Sequence, residues 1–347
     1  MTQSILFNEI SQQPEILARF LDAESANVER IVQQIHRVDV SYLTIAARGS
    51  SDNAATYAKY VFASFNRLPV ALATPSLYSI YHTPPRVAGS LVIAISQSGE
   101  SPDILAVVEE GKRQNVPTLA VTNFADSPLA RAADMVILQH AGEEKTVAAT
   151  KTYTTQLLAM ALLSTALAND VDRRRDLDKI PDAVMHTLSL NAEVEPIAMR
   201  WREMNSCVVI GRGYNYTTAF EVALKLKELA YVIAEPFSSA DFMHGPFAII
   251  EPGFPIILIA PQGLVNDDLI AVGEKLRDKG ADVVVVSDMR EALAVGNSAL
   301  TLPRSLPEWL SPFTAVIPGQ LLAHHVTAHK GYDPDHPRGL TKVTRTV

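Results

Sequence analysis

Short apolar runs alternate with amphipathic stretches along most of the chain. Residues 1–30 carry a helical pattern: Gln13-Pro14-Glu15 reads as a helix start with proline in the first turn, and Ile16, Leu17, Phe20 and Leu21 fall on one face. Val28, Ile31, Val32 and Ile35 continue it. The pattern then predicts strands at 41–47, 68–73, 91–95, 118–122 and 135–138, with helices at 52–65, 102–114, 128–133 and 152–168. Strands that are nearly all apolar and separated by helices predict a parallel sheet covered on both faces.

The pattern then recurs. Residues 207–210 run into Gly211-Arg212-Gly213, as 45–47 run into Arg48-Gly49-Ser50-Ser51. The run 256–262 echoes 92–97, and a helix at 267–279 precedes a strand at 281–287 as 102–114 precedes 118–122. The two blocks register at an offset of about 165 residues, an ordinary domain size. The expected fold class is therefore α/β, with two tandem doubly wound, flavodoxin-like parallel-sheet domains in three α/β/α layers. The expected boundaries are a helical segment at 1–30, a first domain at 31–168, a linker helix at 169–202, a second domain at 203–330 and an irregular tail at 331–347.

Composition narrows the function classes. The 347 residues are 48% hydrophobic and 20% charged, which suits a packed globular protein. The net charge is −8 with no basic run, which argues against nucleic acid as a partner. An anionic ligand has to be held locally, by hydroxyls, backbone N–H groups and helix N-termini. The single cysteine, Cys207, allows no internal disulfide and fits a reducing compartment. No secretory signal is legible, and apolar runs such as 254–261 are too short to span a bilayer. A cytoplasmic chain without membrane contact is expected.

Three hydroxyl-rich turns stand at expected strand ends or helix starts. Ser96-Gln97-Ser98-Gly99-Glu100-Ser101 sits where a buried strand hands over to a helix, the place where parallel sheets bind ligands. Gly99 permits close backbone approach, and Ser101 is placed to cap a helix with Pro102 in its first turn. A turn and cap alone would also use these residues, but Gly49-Ser50-Ser51 at another strand end favours an anion site. No lysine is present, so this is not a P-loop. The equivalent turn of the second copy, Pro261-Gln262-Gly263-Leu264, has no hydroxyl, so the anion site is expected in the first copy only. Thr146-Val147-Ala148-Ala149-Thr150-Lys151 is the third turn; taken alone it reads as a helix cap at Thr150.

In the second copy, Lys225 and Glu228 share one helix face three residues apart, within an apolar stretch. A half-buried carboxylate there would make a general base; the plain alternative is a surface ion pair. His244 sits beside Gly245-Pro246 and could carry a proton near neutral pH, although loop histidines are usually surface residues. No HExxH, cysteine cluster or tight His/Asp spacing suggests a metal, and no cofactor is called for.

These pieces, in order, resemble the SIS (sugar isomerase) double-domain family, specifically the isomerase half of glutamine–fructose-6-phosphate aminotransferases. The likeness runs from Asn8-Glu9-Ile10 through Arg48-Gly49-Ser50-Ser51, Ser96–Ser101, Val147-Ala148-Ala149-Thr150-Lys151 and Thr154-Thr155-Gln156-Leu157. It continues in Ala223-Leu224-Lys225-Leu226-Lys227-Glu228, His244-Gly245-Pro246 and Asp335-His336-Pro337-Arg338-Gly339-Leu340-Thr341-Lys342. The resemblance implies that Ser51, Ser96, Gln97, Ser98 and Ser101 contact phosphate and sugar, with Val147 and Ala149 in the sugar site. It implies that Glu228 moves a proton between C1 and C2 and that Lys225 lies near those carbons. It implies that His244 opens the sugar ring from a neighbouring subunit, making a homodimer, and that Lys342 forms a Schiff base with the open-chain keto sugar.

Two departures shape the expectation. The likeness starts almost at once and residue 2 is Thr2, which leaves no place ahead of it for the family's glutaminase domain with its N-terminal cysteine. Ala149 stands where the family has serine, which removes one hydroxyl. The chain is thus most similar to stand-alone SIS-type glucosamine-6-phosphate deaminases. The alternatives are a deglycase of phosphorylated fructosamines, another phosphosugar aldose–ketose isomerase, or a non-catalytic sugar-phosphate sensor.

Overall fold

The structure is a computed structural model that describes residues 4–342. Residues 1–3 of the N-terminal helical segment and 343–347 of the tail lie outside the described residues. The chain divides into two compact units, each built on one five-stranded parallel sheet.

The first unit comprises 15–145, 151–178 and the tail residues 341–342. Its strands are β1 (Tyr42–Ala46), β2 (Val70–Leu72), β3 (Ser90–Ile95), β4 (Thr118–Thr122) and β5 (Met135–Leu138), in the order β2-β1-β3-β4-β5. Register is set by the apolar centres of the middle strands: Ile93 lies opposite both Ile45 and Leu119. β3 and β4 are buried along their whole length, so neither has a polar face. The Pro102–Arg113 helix covers one face, packing Ile104, Val107 and Val108 against Val92, Ala94 and Ala120. Strand order reverses between β1 and β3, and at such a switch point the carboxyl ends of the strands leave a crevice for a ligand.

The second unit comprises 4–14, 146–150 and 179–340. Its strands are β6 (Ser206–Gly211), β7 (Ile233–Ser238), β8 (Pro255–Ile259), β9 (Asp282–Ser287) and β10 (Ser298–Thr301). Their order, β10-β9-β8-β6-β7, repeats the first sheet's connectivity strand for strand. Val208, Ile210, Ile256, Leu258, Val283 and Val285 form the centre of its core. The stretch expected as one linker helix is instead a series: Val171–Leu177, Ile180–Thr187 and Asn191–Arg200. Asp170 caps the first of these through Arg173 N–H.

The second unit also holds a helix that periodicity did not disclose, Ser311–His329. It is buried nearly all round and contains Pro318 and Gly319. Gly319 is needed there, because a Cβ would run into the Val222 side chain of the Tyr216–Ala230 helix.

Candidate active site

In the first unit, both hydroxyl-bearing turns stand at the switch point. After β3, Gly99 adopts φ +64°, and a Cβ there would collide with the side chain of Ser127. The turn is held by its own hydroxyls: Gly99 N–H donates to Ser96 Oγ at 3.2 Å and Glu100 N–H to Ser98 Oγ at 3.2 Å. Ser96 is buried, and Gln97, Ser98 and Ser101 are partly exposed. Ser101 occupies the N-cap position of the Pro102–Arg113 helix, but its side chain makes no capping bond. The expected cap is thus a matter of backbone position alone, and its hydroxyl is not used to close the helix.

After β1, Gly49 adopts φ +56° and opens the Ser50–Val61 helix, which carries Ser51 buried in its first turn. The two turns are tied to each other. Arg48, from the β1 turn, donates from both Nε and a terminal nitrogen at 2.8 Å to Asp103, a fully buried carboxylate in the first turn of the helix after β3. Asp103 Oδ1 accepts from Ile104 N–H at 2.9 Å as well. A charge-assisted pair of this kind fixes the spacing of the two turns.

Lys342 reaches the turn after β3. Its ammonium donates to Glu144 Oε2 at 2.7 Å, and both residues line a cleft of about 610 Å³ with Gln97, Ser98, Glu100 and Glu143. Glu144 is buried and accepts from Thr152 N–H at 3.2 Å and Thr152 Oγ–H at 2.7 Å. The first unit therefore brings Lys342 together with Gln97 and Ser98 in one cleft, while Ser51, Ser96 and Ser101 stand at the carboxyl ends of β1 and β3 outside its lining. Reading the sequence overlooked Glu144. It follows Gly142-Glu143 beyond β5, where a run of acidic residues resembles a solvated loop.

In the second unit, the Tyr216–Ala230 helix carries Lys225 and Glu228 as its spacing predicted. They do not form a surface pair. Lys225 is 1% exposed and lies between Glu228, at 2.6 Å, and Glu221, at 3.4 Å and fully buried. Glu228 is partly exposed, so the carboxylate that faces out of the triad is the one expected to be the base. Glu221 was overlooked although it stands four residues before Lys225, a spacing at which helical side chains meet.

His244 is exposed and follows the short Ser239–Met243 helix, its N–H bonded to Asp241 O at 3.1 Å. Gly245, at φ +135°, turns the chain there, and Pro246 opens a 3₁₀ turn. Val147 and Ala149 are partly buried on the 146–150 segment, which Thr146 anchors to the buried Glu9 through its hydroxyl and, at 3.3 Å, its N–H.

The tail is anchored in this unit too. Asp335 accepts from the N–H groups of Ile5 and Leu6 at 2.9 and 2.8 Å, and Arg338 lies over the Tyr231 ring. The turn equivalent to Ser96–Ser101 is occupied by the protein's own carboxylates: Gln262 N–H donates to Asp288 at 2.6 Å and Leu264 N–H to Glu308 at 3.0 Å.

A family model for the SIS domain matches residues 39–166 and 202–330, one match on each sheet unit. The chain belongs to the SIS family. Among SIS proteins it is 34% identical over 345 residues to the isomerizing glutamine–fructose-6-phosphate aminotransferase of Pyrococcus horikoshii, covering 98% of this chain and 57% of that one. It thus spans little more than half the length of that curated relative. A provisionally assigned phosphosugar isomerase from Silicibacter pomeroyi superposes with a TM-score of 0.87 at 32% identity, over 96% of this chain and all of that one. The C-terminal domain of glucosamine-fructose-6-phosphate aminotransferase from Francisella tularensis gives 0.88 at 29% identity, over 96% and 98% of the two chains. Among the described residues, no helix of this SIS protein is long and apolar enough to cross a membrane.

Proposed function

We propose that this chain is a phosphosugar enzyme that converts glucosamine 6-phosphate and water to fructose 6-phosphate and ammonia. The observation that carries the reading is Lys342 beside the hydroxyl-rich turn: an amine able to attack a carbonyl shares one cleft with an anion cradle. The phosphate sits on Ser96, Ser98, Ser101 and Ser51, with Gln97 beside it, using hydroxyls and backbone N–H groups at a helix start. The cleft carboxylates Glu100 and Glu143, which are exposed, favour a substrate with a cationic amine besides its phosphate.

His244, supplied by a second copy of the chain, opens the pyranose ring. Glu228 removes the C2 proton and returns it to C1, leaving an imine at C2. Lys225 holds Glu228 in place and adds positive potential beside the developing enolamine. Water adds to the imine carbon, and ammonia leaves.

The test is release of ammonia and fructose 6-phosphate from glucosamine 6-phosphate by wild type beside Glu228→Gln. Release by wild type, with a loss on the order of 10²–10⁴-fold in Glu228→Gln, supports the assignment. Phosphosugar binding without release rejects glucosamine 6-phosphate. It directs the search to phosphorylated fructosamines, to aldose–ketose isomerisation or, if no turnover is found, to a sensor.

A further inference from the structure

Glu144 carries a full charge in a place where helix capping alone does not require one. Its side chain is fully buried, and an isolated carboxylate in such a place is costly unless a cation and hydrogen bonds compensate it. Two kinds of contact stand out among those it makes. Oε1 accepts from Thr152 N–H, the second residue of the Lys151–Leu167 helix, while Oε2 accepts from both Thr152 Oγ–H and the Lys342 ammonium. A neutral amide could serve Thr152 as well, its oxygen accepting from the N–H and its NH2 donating to the hydroxyl oxygen. Negative charge has a use only toward a cation, and the Lys342 ammonium is 2.7 Å away. The neighbouring Lys151 is buried too and donates to Glu143 O at 2.7 Å. Lys342 keeps a quarter of its side chain exposed on the cleft that holds Gln97 and Ser98.

We infer that Glu144 is the positioning residue of the tail lysine: it holds the Lys342 ammonium at the phosphosugar cleft and accepts the proton that Lys342 must lose before it attacks a carbonyl. The inference rests on the Lys342 reading given under Proposed function. In the resting pair, Lys342 is an ammonium and Glu144 a carboxylate. Proton transfer gives the free amine and the carboxylic acid. The amine nitrogen bonds to the carbonyl carbon of the open-chain keto sugar, and the carbonyl π pair moves to oxygen, which takes the second amine-derived proton. Glu144 then returns its proton to that hydroxyl. Water leaves, an iminium forms on Lys342, and Glu144 is again a carboxylate. Net consumption is one ammonium and one ketone, and net production one iminium and one water.

The experiment is borohydride trapping of fructose 6-phosphate on the full chain, with the Lys342 adduct followed by mass spectrometry and phosphosugar affinity by calorimetry. Glu144→Gln keeps an acceptor for the Thr152 N–H and removes the charge. Its trapping rate is expected to fall on the order of 100-fold at unchanged affinity, the scale of a reacting group misplaced by about an ångström. Thr152→Val, which removes the other donor to Oε2, is expected to trap near the wild-type rate. Wild-type trapping by Glu144→Gln overturns the inference and leaves the Lys342 reading standing. Equal slowing in Thr152→Val also overturns it, because Glu144 would then act only as a helix cap. Absence of any wild-type adduct removes the Lys342 reading and the inference with it. If Glu144→Gln does not fold, Glu144→Asp, which retracts the charge by one methylene, replaces it. Slowed trapping there supports the inference, and a wild-type rate overturns it.

Discussion

Lys225 offers the most direct test of how the second unit is held together. Its ammonium is buried with Glu221, whose side chain is fully buried, and with Glu228, which is 23% exposed. Lys225→Met keeps most of the side-chain volume and removes the charge. Glu221 then faces an apolar methionine where it had an ammonium at 3.4 Å, and removing one member of a buried ion pair costs about 3–5 kcal/mol. That is a large share of the 5–15 kcal/mol typical of a folded domain. Replacing both members by apolar groups removes the penalty, so Lys225→Met combined with Glu221→Leu is expected within about 1 kcal/mol of wild type. The assay is urea unfolding followed by tryptophan fluorescence. The two tryptophans, Trp201 and Trp309, both lie in the unit that carries Lys225, so the signal reports on that unit. The reasoning fails if Lys225→Met loses less than about 1 kcal/mol, or if the double variant is no more stable than the single one.

Gly99→Ala forces a Cβ at φ +64°, where the left-handed backbone alone costs about 1–2 kcal/mol, and against the side chains of Ser127 and Thr122. The turn has to move, and phosphosugar affinity is expected to drop at least about tenfold (about 1.4 kcal/mol) by calorimetry; an unchanged Kd would refute the placement of the anion on this turn. Burial, with His325 alongside, pushes His324 down from 6.5 to about 4, against the opposing pull of Asp335. Between those values the unfolded chain binds a proton that the folded chain does not. Stability therefore falls as pH drops through 6.5 toward 4, by up to about 3 kcal/mol. His324→Phe is expected to flatten this acid limb in melting curves recorded at pH 7 and 4.5, and an unaltered limb would show that His324 does not cause it.

What could be read from the sequence depended on how local each signal was. β4 and β5 fall where their apolar runs predict, because a buried parallel strand needs apolar residues at every position and turn residues at both ends. β7 escaped notice because it is an edge strand with Pro236 in it and an exposed outer face. The Ser311–His329 helix escaped because Pro318 and Gly319 read as breakers, while the helix is apolar all round and shows no face. The serine turns of the candidate site were legible since each is complete within six residues. Glu144 was not, because its cation comes from a tail 198 residues further on. Glu221 was legible in principle, one helical turn from Lys225, but a carboxylate and a lysine at that spacing usually mark a solvent face.

The turn at 261–264 bears on stoichiometry. Each sheet unit closes with the same kind of strand-to-helix turn, yet in the second unit Asp288 and Glu308 act as resident anions on its N–H groups, and the glutamate occupies the space where a Cβ of Gly263 would stand. On the proposed function, two architecturally equivalent turns per chain thus leave one free to take an anion, and a phosphosugar titration is expected to saturate at one molecule per chain. The two resident carboxylates come from separate segments, so losing either one alone leaves the other in place. A single substitution would not restore a second site, which makes the division of labour between the two copies difficult to reverse.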